Sequence, residues 1–338
     1  MIPLTLLIAI DDPSGVAEAR RCAAALAGKL DFGATAAGNL AIGVTELATN
    51  IVKHGRQGSV ALRCLQVSGT AGIEVLALDR GPGMANIAES LRDGHSTAGS
   101  PGTGLGALQR LTTGFEFYTQ PGKGLIARFE AWPSGAPAAP PGSLRQGALC
   151  APKAGQTVSG DDWTLVSRRG RHALFVVDGL GHGPDAAAAA RTAVEVVRGA
   201  NELAAADLIN SVHEALRPTR GAAAAVALFE PEKEICTYCG IGNIAASIRA
   251  NGVSRSMVSH NGILGHQVRK VQDFIYPFPR GALCIAHSDG VSARWDLALY
   301  PGLEQRHPAL VAAVLYRDHA RGSDDAIVAA VRNEEAVR

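Results

Sequence analysis

The sequence predicts a two-domain α/β protein, on three observations. The chain has 338 residues, enough for about two domains of the usual ~100–200 residues each. A stretch dense in Pro, Gly, Ala and Ser, "WPSGAPAAPPGSLRQG", runs from Trp132 to Gly147 without a hydrophobic period, as a semi-rigid linker does. On both sides of it, apolar strand-like runs alternate with helical patterns, and the 47% of apolar residues supply the cores. The expected division is a first domain at 1–131, a linker at 132–147 and a second domain at 148–338.

The first half opens with a strand in "LTLLIAI". Asp12, Pro13 and Ser14 are helix-start signals for "DPSGVAEARRCAAALAGKL". Ala37 to His54 forms a second helix, whose apolar stripe is Leu40, Val44, Leu47 and Ile51. "SVALRCLQV" and "GIEVLALD" are strands around the turn "SGTAG", and "FEFYTQPGKGLIARFEA" is a closing hairpin with Pro-Gly and Gly in its turn. In the second half, strands are expected at "DDWTLVSRRG", "RHALFVVD", "AAAAVALFE", "EICTYCGIGNIAASIRA", "ALCIAHSD" and "DAIVAAVR". Helices are expected at Pro184–Gly199, "ELAAADLINSVHEALR" and "PALVAAVLYRDHA". The spacing predicts layered sheets covered by helices.

Bulk properties exclude several classes. The net charge is +1 and no long basic run occurs, which argues against nucleic acid or an anionic membrane as a main partner. No apolar run reaches the ~18 residues that span a bilayer. The start, "MIPLTLLIAIDD", lacks a basic n-region and a cleavage site, so it reads as a buried first strand rather than a signal peptide. Of six cysteines, Cys22, Cys64, Cys150, Cys236, Cys239 and Cys284, only "CTYC" has a metal-like spacing. It has no second pair and lies in a strand, so buried thiols in a reduced, cytoplasmic protein are expected.

In the second expected helix, Glu46 and Asn50 are four residues apart and share a face. A carboxylate and a carboxamide stacked in this way can hold a water and a hard cation such as Mg²⁺. "LALDRGPGM" ends a strand on Asp79, followed by Gly81 and Gly83. A carboxylate there can accept a hydrogen bond from an exocyclic amine, and the glycines allow the backbone to approach a flat ring. In "DGHSTAGSPGTGLGALQRL", Gly102, Thr103, Gly104, Leu105 and Gly106 sit where a loop enters a helix, whose free N–H groups suit a triphosphate.

The order of these three motifs resembles the ATP-binding domain of the GHKL superfamily (gyrase, Hsp90, histidine kinases, MutL). Within it, "ELATNIVKHG", "DRGPGM", "DGHSTAG" and "GTGLGALQRL" are similar to the anti-sigma-factor serine kinases. The resemblance covers roughly residues 1–131. It implies an α/β sandwich with a mixed sheet and helices, and ATP with Mg²⁺ as cofactors. Asn50 would contact the metal, Glu46 would act as base or water-positioner, Asp79 would meet adenine, and Gly102–Gly106 would meet the phosphates. The chain has no helical-hairpin dimerisation module with a phosphoacceptor His, which argues against a histidine kinase.

The second half turns on "VVDGLGHGPDAA". Its apolar strand puts Asp178 at the end, Gly179 permits a sharp turn, and Pro184 suits the first turn of the next helix. An oxygen-ligand site needs carboxylates from distant segments. Asp161 and Asp162, Asp289, and Asp324 and Asp325 are candidates. Two metals ~3.5–4 Å apart could share Asp178 and polarise a water for attack on phosphorus. Each Asp-Gly alone reads as a plain turn, but the ordered set resembles the SpoIIE-like branch of the metal-dependent serine/threonine (PPM) phosphatases.

That resemblance, over about 148–333, rests on "VVDGLGHGPDAA", "GIGNIAA", "MVSHNGILGH" and "HSDGV". It implies a β-sandwich flanked by helices and two Mn²⁺ or Mg²⁺ ions. Their ligands would be Asp178, Gly179 through its carbonyl, Asp289 and Asp324, with Asp161 bridging through water. Two positions depart from the pattern. Ala326-Ile327 follows the last Asp pair where many relatives carry Thr, and His182 lies four residues after Asp178 rather than two. His260, Asn261 and His266 either border the pocket or serve buried or capping roles.

Together the resemblances imply a bifunctional partner-switching regulator, an ATP-dependent serine/threonine kinase joined to a phosphoserine/phosphothreonine phosphatase. Its partners would be STAS-domain proteins, with a sigma factor or a phosphatase activator as a further partner. The alternatives are an anti-sigma or activator-binding module that transfers no phosphate, and an active phosphatase whose first half only senses ATP.

Overall fold

The computed structural model describes residues 5–84, 104–138 and 144–334. The chain forms two compact units, Met1–Pro140 and Pro141–Arg338.

In the first unit, β1 (Leu6–Ile10) leads into α1 (Pro13–Lys29) and α2 (Ala34–His54), followed by β2 (Gly58–Val67) and β3 (Thr70–Leu78). α3 (Gly104–Leu111), β4 (Thr113–Thr119) and β5 (Leu125–Ala131) complete it. Asp12 caps α1 by accepting from the Ser14 amide at 2.7 Å, satisfying an N–H that has no partner inside the helix. The turn between β2 and β3 is tighter than "SGTAG". Ser68 and Gly69, at φ 49° and 80°, make a two-residue hairpin.

The sheet order is β1-β2-β3-β5-β4. Where a mixed sheet was expected, every pairing among the described strands is antiparallel. α1 and α2 cover one face, and the expected stripe Leu40, Val44, Leu47 and Ile51 is buried there with Val60, Val75 and Phe129. The other face carries a buried ion network, with Glu74 joined to Arg63 at 2.7 Å and Arg128 at 3.0 Å. Trp132, which was placed in the linker stretch, is buried and donates to Glu130 at 3.1 Å.

The second unit is a four-layer sandwich. One sheet has the order β13-β10-β9-β8-β7, with β14 also on β10, and the other β12-β11-β15-β16-β6. The first comprises β7 (Asp161–Arg168), β8 (Arg171–Gly179), β9 (Ala222–Glu230), β10 (Ile235–Ile241), β13 (Ser259–His260) and β14 (Phe274–Pro277). The second comprises β6 (Arg145–Ala151), β11 (Ala245–Ala250), β12 (Val253–Ser256), β15 (Leu283–His287) and β16 (Ala326–Arg332). The inner faces bury Trp163, Leu174, Val176, Phe229, Cys284 and Ile327 against one another. α4 (Pro184–Gly199) and α5 (Ala205–Ala215) cover the outside of the first sheet, and α6 (Pro308–His319) packs on β6 and β16.

Two strand expectations change. "EICTYCGIGNIAASIRA" is not one strand. Gly242, at φ 92°, turns the chain, so β10 and β11 fall in different sheets. In addition β6, which begins inside the Pro/Gly-rich stretch, is the edge partner of β16. The "CTYC" cysteines lie in β10 three residues apart and face opposite sides. Cys236 packs in the inter-sheet core and Cys239 against the helices, so they cannot chelate one ion.

β6 can approach α6 because residue 147 is glycine. A Cβ there would lie 2.1 Å from the Ala309 nitrogen and 2.2 Å from its Cα, backbone atoms that cannot rotate away. Gly147→Ala should therefore destabilise the second unit by about 1–3 kcal/mol, as overpacking does. Chemical denaturation reads this directly, and an unchanged midpoint would show that β6 and α6 are not packed as described.

Candidate functional sites

In the first unit, α2 puts Glu46 and Asn50 one turn apart, both half-buried. Asp79 follows β3 and is buried at 7% exposure. Its Oδ1 accepts from the Gly81 amide at 2.6 Å, which fixes the carboxylate at the strand end. The nearby glycines admit protein backbone. A Cβ on Gly81 would lie 2.6 Å from the His54 carbonyl, and one on Gly83 2.2 Å from that of Gln120. Asp79 thereby lies against the last turn of α2, close in sequence to Asn50. Gly104, Leu105 and Gly106 open α3, while Gly102 and Thr103 lie outside the described residues. The oxygen donors on α2 suit a hard cation.

In the second unit, the carboxylates meet at one end of the sandwich. Asp161 starts β7 and Asp178 stands directly opposite it near the end of β8, so both project from the same face. Trp163 and Val176, two residues from each, lie in the inter-sheet core, which places the acids at the mouth of that core. From the other sheet, Asp289 follows β15, and Asp324 and Asp325 precede β16.

The two acids of the last pair divide their work. Asp325 is buried, and its two oxygens accept from the amides of Lys153 and Gly160, both at 2.7 Å. It ties β6 and β7 segments to β16. Asp324 is exposed and belongs with the charges that act on Asp178. Gly290 lets this assembly close, since a Cβ there would lie 1.8 Å from the Asp325 carbonyl. Gly160 does the same at its own turn, 2.9 Å from Asp325 Oδ2.

Two ordering side chains escaped the sequence reading. Ser288 donates to Asp161 Oδ2 at 2.6 Å and accepts from the Ile327 amide at 3.2 Å. Asn243 donates to Asp289 Oδ2 at 2.7 Å and lowers the pKa of Asp178. Their signals were the Ser of "HSDGV" and the Asn of "GIGN", small polar residues beside glycine at strand ends. The histidines are peripheral. His182 is exposed and paired with Gln156 at 2.8 Å. His266 caps the Arg220 carbonyl at 2.9 Å. His260 is half-buried against Phe274 at 5.7 Å, and Asn261 is exposed beside it.

The electrostatics describe a crowd of like charges. Burial, then Asp289, Asp324 and Asp325, pushes the Asp178 carboxyl up to about 7, against a partial relief from Asn243. Burial and Asp178 push Asp161 well above the usual carboxylate range, with the Ser288 hydroxyl opposing. Burial also raises Asp162, on the helix side of β7, to about 6, with Arg198 and Arg191 opposing. For Asp161 and Asp178 the strongest charges are all acidic. Oxygen donors that repel one another, without a basic counterpart among those charges, fit a hard divalent cation. As the side chains stand, no group of three or more acids, histidines or cysteines among the described residues is close enough to hold a metal ion.

Asp178 rises from 3.8 to about 7 on folding, so the folded form binds the extra proton between those values and stability falls as pH rises through that window. In the metal-free protein, thermal unfolding should shift to lower temperature between pH 5 and pH 8, and Asp178→Asn should flatten this dependence. Identical profiles for the two proteins would remove the crowding.

Each unit is similar to known proteins. Residues 10–129 match the family described as Histidine kinase-like ATPase domain, and residues 168–335 match the family described as Stage II sporulation protein E (SpoIIE). The serine/threonine-protein kinase RsbT of Bacillus subtilis (strain 168) is 29% identical over 117 residues, 35% of this chain and 88% of RsbT. The phosphoserine phosphatase RsbX of the same organism is 24% identical over 141 residues, 41% of this chain and 71% of RsbX. Among solved structures, a chain from "The bacterial stressosome: a modular system that has been adapted to control secondary messenger signaling" superposes at TM-score 0.53 and 26% identity. It covers 56% of this chain and 100% of its own. The PP2C phosphatase domain of SpoIIE from Bacillus subtilis, with a fragment of its regulatory domain, shares the fold at TM-score 0.50 and 17% identity, covering 82% of each chain. No helix among the described residues is long and apolar enough to cross a membrane. The chain is thus a fusion of a histidine kinase-like ATPase domain, homologous to RsbT, with a SpoIIE-type domain of PP2C fold, homologous to RsbX.

Proposed function

We propose that this chain is a bifunctional partner-switching regulator. Its first domain phosphorylates a serine or threonine of a STAS-domain protein, and its second removes phosphate from such a protein. The observation that carries the reading is the meeting of Asp161, Asp178, Asp289 and Asp324 at one end of a PP2C-type sandwich, in a chain that also retains Glu46, Asn50 and Asp79 in an ATPase-type domain.

In the first domain, Asn50 holds Mg²⁺ and Glu46 serves as base or water-positioner. Asp79, fixed by Gly81, receives the adenine amine. Gly81 and Gly83 keep the strand-end turn compact beside the ring, and Gly102, Thr103, Gly104, Leu105 and Gly106 meet the phosphates. In the second, Asp178, Asp289, Asp324 and the Gly179 carbonyl hold two Mn²⁺ or Mg²⁺ ions, with Asp161 joined through water. Such ions polarise a water for attack on phosphorus. The chain's own part is to aim these oxygens. Asn243 orients Asp289, Ser288 turns Asp161, and Asp325 anchors the segment that presents Asp324. Tethering raises the effective concentration of each activity at a shared partner, and a cytoplasmic location fits both.

The test is intact mass of a STAS-domain protein from the same genome, incubated with ATP and Mg²⁺ and then with Mn²⁺. The full chain should add one phosphoryl group and Asn50→Ala should add none. Mn²⁺-dependent loss of that phosphate should fall by more than ~100-fold in Asp178→Asn, the upper end of what weaker perturbations of a metal site cost. No transfer to any STAS-domain protein would leave the first domain as an ATP-sensing or sigma-factor-binding module.

A further inference from the structure

A single arginine overhangs the turn that follows Asp178. Arg220 ends the segment between α5 and β9, and its backbone is locked onto that turn. The Gly221 carbonyl accepts from the Leu180 amide at 3.0 Å, and the Arg220 carbonyl accepts from His266 Nε2 at 2.9 Å. Gly221 is at φ 82°, and a Cβ there would lie 2.5 Å from the Leu264 carbonyl, so the arginine is carried by a fixed stem. Its guanidinium lies over Gly181, with Nη1 3.5 Å from where a Cβ of that residue would stand. Gly181 is three residues from Asp178, at most about 11 Å even for extended chain.

The ion pair made by this guanidinium lies outside the carboxylate cluster. Its partner is Asp185 in the first turn of α4, Nη2 to Oδ2 at 2.6 Å, with the two side chains 53% and 67% exposed. A pair so exposed is weak and easily exchanged, whereas a planar fork of N–H donors matches a phosphate in a bidentate way. We propose that Arg220 binds the phosphate group of the substrate, leaving Asp185 to do so. The inference rests on the phosphatase reading of this site and adds to it the residue that recognises the leaving phosphate.

The full-length protein with Mn²⁺ tests this through the KM for a phosphoserine peptide, the Ki of inorganic phosphate as product inhibitor, and the thermal shift caused by inorganic phosphate. Arg220→Ala should raise KM and Ki together by roughly 10–100-fold, the range of a lost charge-assisted hydrogen bond, and Arg220→Lys should recover part of this. Asp185→Ala frees the arginine, so its KM and Ki should equal or fall below those of the wild type. If Arg220→Ala and Asp185→Ala weaken both alike, the pair is a structural latch and the proposal is overturned, as it is if Arg220→Ala leaves Ki unchanged. A wild type that hydrolyses nothing sinks the phosphatase reading instead. The thermal shift then decides for Arg220. A shift kept in Asp185→Ala and lost in Arg220→Ala and Arg220→Gln supports the proposal, and no shift in the wild type overturns it.

Discussion

Asp161 and Asp178 face each other across an antiparallel strand pair, and much of the second unit is arranged around that repulsion. Two carboxylates side by side at the mouth of a buried core are costly unless a proton or a cation sits between them. The strands cannot relieve the contact by sliding, because a one-residue slip would turn Trp163, Leu174 and Val176 out of the inter-sheet core. The hydrophobic register of β7 and β8 therefore enforces the electrostatic strain. The same constraint extends to the second sheet through Asp325, whose two amide partners hold the turn that carries Asp324.

This arrangement explains a division of labour that residue type alone hides. Three kinds of aspartate occur at this end of the sandwich. Asp325 is a structural acceptor with both oxygens used by backbone. Asp162 faces the helices, where Arg198 and Arg191 moderate it. Asp161, Asp178, Asp289 and Asp324 share a space with one another and with two neutral donors, Ser288 and Asn243. Neutral donors orient carboxylates without cancelling their charge, so the cluster keeps its demand for a cation. The buried acid of the first unit follows a different rule. Glu74 is fully paired with Arg63 and Arg128, as a carboxylate buried for packing must be.

Local signals made much of this legible in the sequence. The α2 stripe has a strong helical period, Pro184 and Gly199 bracket α4, and Asp12 with Ser14 marks the start of α1. Asp178 and Asp289 stand out because each closes an apolar run and adjoins glycine, whereas Asp161 and Asp324 come at the start of theirs. What stayed hidden depends on partners far along the chain. Register places Asp161 opposite Asp178 and hands Asp325 to Lys153 and Gly160. The break at Gly242 is invisible in a continuous apolar run, because only the two-sheet packing requires the turn. The first three residues of β6, 145–147, look like linker because their neighbourhood is rich in Pro and Gly, although pairing with β16 and contact with α6 decide their conformation.

Calorimetric titration of Mn²⁺ into the metal-free protein at pH 6.5, in buffers of different ionisation enthalpy, reads the crowding of these acids directly. With burial and the neighbouring acids pushing the Asp178 carboxyl up to about 7, metal binding at that pH should release protons to the buffer, and the release should vanish when Asp178 is replaced by Asn. Mn²⁺ binding without proton release, or equal release from both proteins, would show that crowding does not keep Asp178 protonated.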